Sequence, residues 1–497
     1  MFTAFGIFTL SALLFLILRI APYIRTGRHA CDAYYFLLSR EIFRKEKKLP
    51  IKIPYYLMEY EEQSYPPGFS VFLSFFPTGF IQKYHWLFNH AIELITSSIG
   101  FWLVFSLTQN PALSSLCMIL YALQPGIMNE LRSLTSRCLA ILLFHLLFLF
   151  TFCAISLHTA FYIPAVLTGI ILIYSHKLTM QVIWFVSPLM SLITKDFEWL
   201  ITPILSYFAA FIIYPSYFYK IQRHHVDMII FWSRNWKNMG RHHIYNSPLY
   251  TQKPGKPFFY EKENLKTWAL YFKRFLLEAP YFPFIAALPF AVTLDDTLFY
   301  LETYVSTILI AALCVIYIPF LRGIGAGWQY AKYAALPTSI LLALTLAQPA
   351  PLWLIAVISL CAILQLYFYI KTVKSFTKKN EDSENKKNFE SLLNAIKELP
   401  EEARLVCLPL ELCDATVFFT RRFVLWGSHS YPFSRIEGFF PVIKSPLENF
   451  IHQYEVQYAV LDTGYVDPDH INIKGNILSE HGCYKLYKLA EEKDSGQ

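Results

Sequence analysis

Apolar residues dominate about eleven stretches of this chain, and the longer ones match the ~20 residues that cross a bilayer as a helix. They run over 2–20, 86–107, 111–129, 138–157, 160–174, 182–193, 200–219, 281–294, 298–321, 334–346 and 351–370. The first has neither a basic leading region nor a small-residue cleavage site, so it reads as an anchor, not a removed signal. A shorter apolar piece, 69–81, is bounded by prolines and reads as an interfacial or re-entrant helix. No repeat of 20–50 residues and no inverted duplication of the pattern is visible.

The polar positions fall unevenly between these stretches. Two long loops, 21–85 and 220–280, alternate with tight turns near Gln109-Asn110, His158, Asp196, Asp295 and Gln348. An odd number of spans puts the C-terminus on the long-loop side. After residue 371 the pattern changes. A Lys/Glu/Asn/Ser-rich run reads as a solvated linker over 372–388. It is followed by a helix with Phe389, Leu392, Leu393 and Ile396 on one face, ended by Pro400. Strand-like runs follow at 404–408, 423–426, 456–461 and 484–489, with a helix over 447–454. The expected architecture is a polytopic α-helical membrane protein of about eleven transmembrane helices. It comprises a membrane domain over 1–371, a linker and a small soluble α/β domain over 389–497.

Composition sharpens this division. Of 497 residues 55% are hydrophobic and 16% charged, against roughly 25% charged in a soluble domain. The last 127 residues hold 35 of the 79 charges and carry a net −3, which leaves +10 on the membrane part. An ordinary soluble enzyme is excluded. A basic surplus set between hydrophobic spans points to anionic phosphate on lipid headgroups or a lipid-linked substrate, not to nucleic acid. The basic residues crowd the two long loops, and the tight turns offer only Lys195. The positive-inside rule would therefore place the loops in the cytoplasm, although it weakens for long loops that fold as domains. Nine cysteines form no CxxC, which argues against a zinc module. Cys407 and Cys413 could pair in an oxidising compartment, but read better as ordinary buried thiols.

Several polar residues could carry chemistry. The first loop opens with Arg28, His29, Asp32, Tyr34 and Tyr35. Asp32 could act as general base on a hydroxyl, kept ionised by nearby cations, or simply cap the helix that follows. Glu59, Glu61 and Glu62 precede Tyr65-Pro66-Pro67-Gly68, a rigid entry to a helix. They read as a solvated acidic face or as a source of a second carboxylate. Glu130 and Arg132 follow the third span, with Arg137 opening the fourth. They either snorkel or face the first-loop pocket, where Arg132 could clamp a sugar or phosphate. His176 and Lys177, beside Thr179 and Gln181, suit a phosphate site or an interfacial anchor. Arg322 and Lys332 flank a glycine-rich loop containing Tyr330, whose backbone could approach a ligand closely. Asn89, His90 and Glu93 form an intramembrane polar group. His224-His225 and His242-His243 are adjacent pairs that point apart, which disfavours a metal; with Trp232, Arg234, Trp236, Lys237 and Arg241 they read as an amphipathic interfacial helix.

These features together resemble the GT-C superfamily, the polytopic glycosyltransferases that use polyprenyl-phosphate sugars and include protein O-mannosyltransferases and aminoarabinose transferases. The resemblance lies in one anchor span, an early first-loop Asp before tyrosines, Tyr65-Pro66-Pro67-Gly68 before a short surface helix, Glu130-x-Arg132, the Arg322 to Tyr330 loop and a tail on the same side. It implies that Asp32 is the catalytic base and that the long loops and tail are extracytoplasmic. Glu130 is the best match to a second acidic residue, with Glu59, Glu61 or Glu62 as substitutes. No DxD lies near Asp32, so no divalent metal or other cofactor is expected.

The expected reaction is inverting transfer from a polyprenyl-phosphate sugar to a hydroxyl of a glycan, lipid or protein acceptor. Arg132, His176, Lys177, Arg322 and Lys332 would stabilise the departing phosphate, and Arg28, His29, Tyr34, Tyr35, Glu62, Tyr65 and Tyr330 would line the pocket. The alternatives are a transporter or glycolipid flippase, and a non-catalytic scaffold. A transporter should carry more charge deep within its spans.

Overall fold

The computed structural model describes residues 2–24, 31–58, 63–131, 133–236, 264–378, 383–410, 412–429, 432–440, 445–464, 466–469 and 471–490. Arg28, His29, Glu59, Glu61, Glu62, Arg132, Lys237, Arg241, His242 and His243 lie outside the described residues, as does the side chain of Asp32. The chain divides into two units. One comprises Met1–Arg28, Thr78–Pro215 and Leu265–Asn380. The other comprises His29–Pro77, Ser216–Asn264 and Glu381–Gln497, which are parts of the two long loops and the tail.

The first unit is helical. Among the described residues, six helices are long and apolar enough to cross a membrane: Thr3–Ile24, Thr78–Thr108, Arg137–Ser156, Lys177–Thr194, Asp296–Tyr317 and Leu352–Phe376. Three shorter apolar helices accompany them, Pro111–Ala122, Thr159–Ile173 and Glu198–Ile213. The expected count of about eleven spans is not confirmed, and prolines divide several of the expected stretches. Pro125 ends one helix at Ala122 and starts the next, Pro125–Glu130. Pro215 follows the end of another at Ile213. Pro283 and Pro289 leave only Phe282–Ala287 and a 3-10 turn, Leu288–Phe290, where a single span was expected. Each proline lacks the N–H that a continuing helix needs.

Two tight turns are helix caps. The Asn110 side chain accepts from the N–H groups of Ala112 and Leu113, with Pro111 at the first helical position, and Asp295 accepts from Leu298. These bonds satisfy donors that the helix starts leave open. The helix Ala335–Thr345 is buried on every side, so its uniform apolarity reflects a core position.

The second unit is built on a five-stranded sheet of order β2-β1-β3-β5-β4. Its strands are β1 Arg404–Leu408, β2 Phe423–Val424, β3 Tyr458–Asp462, β4 Gly475–His481 and β5 Tyr484–Leu489. β1 pairs in parallel with β2 and β3, while β5 runs antiparallel to β3 and β4. The first loop completes this sheet. Leu57 N–H donates to Val424 O and Val424 N–H to Tyr55 O, each at 2.9 Å. A loop segment thus covers the β2 edge, which would otherwise present unpaired backbone groups. Gly427 makes room for the covering tyrosine, since a Cβ there would collide with the Tyr56 ring.

Two helices join from the loops. Cys31–Glu46 packs against Leu412–Thr420, and Arg421 pairs with Glu41 at 2.5 Å. In the helix Pro215–Asn235, Tyr217 donates to Tyr65 O at 2.9 Å and Asn235 to Glu437 at 3.0 Å. Cys407 and Cys413 are buried free thiols.

Candidate functional site

In the first unit the candidates gather around Glu130, the last residue of the helix Pro125–Glu130. Its carboxylate accepts from Arg137 at 2.9 Å and from Lys332. Asn89 donates to the carbonyls of Glu130 and Ser133, at 3.3 and 2.6 Å, and so pins the backbone that carries Glu130. Glu130 and Lys332 are each about 95% buried. Burial opposes ionisation of Glu130, but Arg137 and Lys332 outweigh it and hold the carboxyl at about 2. One carboxylate between two cations leaves a net positive centre. Tyr333, the residue after Lys332, belongs to a second chain of contacts: its hydroxyl lies 2.6 Å from Thr179 Oγ1, which lies 2.9 Å from His176 Nδ1. Glu130 and Lys332, expected separately, are thus joined, and His176 reaches the residue after Lys332 through Thr179. Lys177 is buried at the start of the helix Lys177–Thr194.

Arg322 and the glycine-rich loop stand differently. Arg322 is fully buried, and its Nε donates to Ile316 O at 3.1 Å while its Nη2 reaches Tyr317 O at 3.4 Å. A guanidinium there satisfies the last carbonyls of the helix Asp296–Tyr317 and opposes its dipole. Gly327 serves the same helix. A Cβ there would lie 2.6 Å from Ala312 O and 2.9 Å from Ile316 N, so glycine permits helix packing. Tyr330 is buried and donates to Gln181 Oε1 at 3.0 Å.

In the second unit Asp32 lies in the helix Cys31–Glu46. Tyr34 packs on Phe418 and Phe419, at 5.5 and 5.0 Å between ring centres. Tyr35 and Tyr65 both lie against His429, at 5.1 and 5.0 Å. His429 had not been singled out from the sequence, and neither had Asp414, which is buried and bonded to Tyr56 at 2.6 Å. The sequence signal for Asp414 is an ionisable residue within an apolar run, Leu412 to Phe419; His429 has none.

No family model matches this chain, and no curated protein does. Solved structures do match it. ArnT from Cupriavidus metallidurans, bound to undecaprenyl phosphate, superposes with a TM-score of 0.60 at 11% identity over 97% of this chain and 98% of that one. The Archaeoglobus fulgidus oligosaccharyltransferase in its apo form gives 0.59 at 12% identity, over 95% and 73% of the two chains. The fold is that of the GT-C glycosyltransferases. A third GT-C structure, AglB from A. fulgidus with an inhibitory peptide and a dolichol-phosphate, gives 0.57 at 12% identity over 99% and 75%. At such identities the GT-C likeness concerns the course of the backbone, not particular side chains.

Proposed function

We propose that the protein is a membrane glycosyltransferase that moves a sugar from a polyprenyl-phosphate donor to a hydroxyl of a glycan, lipid or protein acceptor. The observation that carries this reading is the fold match, nearly end to end, to a protein bound to undecaprenyl phosphate. In this reading Asp32 removes the acceptor proton as the hydroxyl oxygen attacks the anomeric carbon from the face opposite the phosphate. The configuration therefore inverts. A lipid phosphate is a weak base, so its departure needs positive charge more than a proton.

The cationic group around Glu130 supports that role. Lys332 and Arg137 would stabilise the phosphate, with His176, Lys177 and Arg132 as further donors. A carboxyl held at about 2 is a poor proton acceptor at neutral pH, and we assign Glu130 to holding Lys332 and Arg137 in place. Arg322 would fix the backbone of the adjoining loop. Arg28, His29, Tyr34, Tyr35, Glu62, Tyr65 and Tyr330 are proposed around the substrates. The long loops and tail are proposed to be extracytoplasmic, and the membrane unit to span 1–371.

Purified wild type and Asp32→Asn, given undecaprenyl-phosphate sugar and an acceptor, test the assignment. The variant should lose roughly a hundredfold or more in kcat. Full turnover by Asp32→Asn would remove Asp32 as base. No release of undecaprenyl phosphate by the wild type, together with movement of the intact sugar-lipid across vesicles, would replace the enzyme with a flippase.

A further inference from the structure

A cavity of about 150 Å³ lies among the helices of the first unit. It stands at the end of those helices away from Glu130. Phe88–Thr108, Arg137–Ser156 and Lys177–Thr194 begin beside the Glu130 and Tyr333 contacts, through Asn89, Arg137 and Thr179. They line the cavity only further along, at Leu107, His145 and Met190 among others. His145 is about 12 Å beyond Arg137 along the helix axis. Trp199 and Thr297, also in the lining, sit in the first turns of the helices Glu198–Ile213 and Asp296–Tyr317. The cavity therefore lies close to the tight turns at Asp196 and Asp295, and the proposed transfer reaction does not use it.

Two buried nitrogens in the lining stand without a hydrogen bond. Trp199 is 3% exposed and His145 7%, and neither Trp199 Nε1 nor His145 Nε2 has a partner among the described residues. The other ring nitrogen of His145 is taken, at 3.1 Å from the Tyr304 hydroxyl. Phe148 stacks on both Trp199 and Tyr304, at 5.8 Å and 19° and at 4.7 Å and 27°. A phenylalanine at 199 would serve that stack equally well. A buried indole N–H ordinarily has an acceptor, because burial without one is unfavourable.

The rest of the lining defines what fits. It contains no Asp, Glu, Lys or Arg among the described residues, so it is not built for a phosphate or another charged group. Trp199 Nε1–H can only donate, so the ligand must present an acceptor. Leu107 at the rim is half exposed, whereas Phe148 and Trp199 are buried. The cavity thus runs inwards from the outer surface of the helical unit, where acyl chains lie. A cavity of this size takes a benzene-sized group, about six carbons of one chain. Tryptophan near the end of a spanning bundle sits at the level where headgroups meet hydrocarbon. Glycerolipids carry their ester carbonyls at that level, and such a carbonyl is uncharged and only accepts.

We propose that this cavity binds a glycerolipid of the surrounding bilayer, with part of one acyl chain inside and an ester carbonyl accepting a hydrogen bond from Trp199 Nε1. His145 Nε2 is the second polar atom available to the ester. The site is separate from the one around Glu130 and does not rest on the glycosyltransferase reading.

Full-length protein in detergent is incubated with phosphatidylcholine bearing a diazirine on one acyl chain, irradiated, and mapped by mass spectrometry. The competitors are dioleoyl phosphatidylcholine, its dialkyl ether analogue, which lacks the carbonyls, and undecaprenyl phosphate. Label should fall in residues 137–156, 198–213 and 296–317. The ester should compete about fivefold better than the ether, as expected for one net hydrogen bond. Trp199→Phe, which keeps a ring in the stack, should abolish that difference. Ester and ether are compared on the same variant, so general destabilisation would not produce this result. Ile340→Phe, which fills the cavity, should remove the label from these helices. Equal competition by ester and ether in the wild type, or label undiminished by Ile340→Phe, would overturn the proposal. Displacement by undecaprenyl phosphate at lower concentration than by either phosphatidylcholine would also overturn it, by placing a prenyl chain in the cavity.

Discussion

Glu130 shows how one residue can gather a site. Its neighbours in sequence suggested a charge at a membrane boundary, and snorkelling would have satisfied it. The structure instead buries it between Arg137 and Lys332, the latter 202 residues away. Replacing Glu130 with Gln would leave Lys332 buried without its counter-ion, at a cost of roughly 3 kcal/mol. Thermal unfolding in detergent should show this loss, and the double variant Glu130→Gln/Lys332→Met should recover part of it.

The pH dependence follows from the same pair. The folded carboxyl sits at about 2, below its ordinary 4.5. Its contribution to stability is therefore complete above 4.5 and disappears as the pH falls towards 2. Wild-type stability should decline across that window, and Glu130→Gln should lack this component of the decline. At the same scale, Asp32 was legible as a polar residue opening an apolar helical pattern. His429 was not, because its neighbours come from positions 35, 36, 65 and 414, which no local pattern links.

At the scale of elements, periodicity located the helices well and their ends less well. The expected stretches at 86–107, 138–157 and 298–321 correspond to Phe88–Thr108, Arg137–Ser156 and Asp296–Tyr317. Apolar runs interrupted by proline divide into shorter helices, a break that hydropathy does not register because it does not count the missing N–H. In the tail, β1 and β5 were legible to the residue, as apolar-rich runs bounded by turns. β4 was missed because Gly475–His481 is mostly exposed and carries little apolar pattern.

The glycine-rich loop is a further case. Its composition suggested close approach to a ligand, but at Gly327 the close approach is to Ala312 and Ile316. Gly327→Ala should force the loop from the helix Asp296–Tyr317 and lower stability by roughly 1–3 kcal/mol, read as a lower unfolding temperature. An unchanged temperature would mean that the loop repacks freely.

At the scale of the whole molecule, the tail and the two long loops form one unit. The sheet edge at β2 is covered by residues 55–58, and the helix Cys31–Glu46 rests on Leu412–Thr420. Removing residues 383–497 should therefore uncover the first loop as well. Limited proteolysis should cut within 31–58 about tenfold faster in that deletion than in the full chain, because its protecting contacts are gone. Unchanged protection would show that the first loop folds without the tail.

The sequence by itself determined the class of the protein. A membrane part with few charges, two long polar loops and a charged tail follow from transfer free energies that act residue by residue, so they can be read locally. Only the tertiary structure decided which polar residues meet. Glu130 with Lys332, Tyr56 with Asp414, and Tyr35 with His429 are pairings across hundreds of residues. A buried polar group must find a partner, but the chain's fold, not its local pattern, decides which one comes within reach.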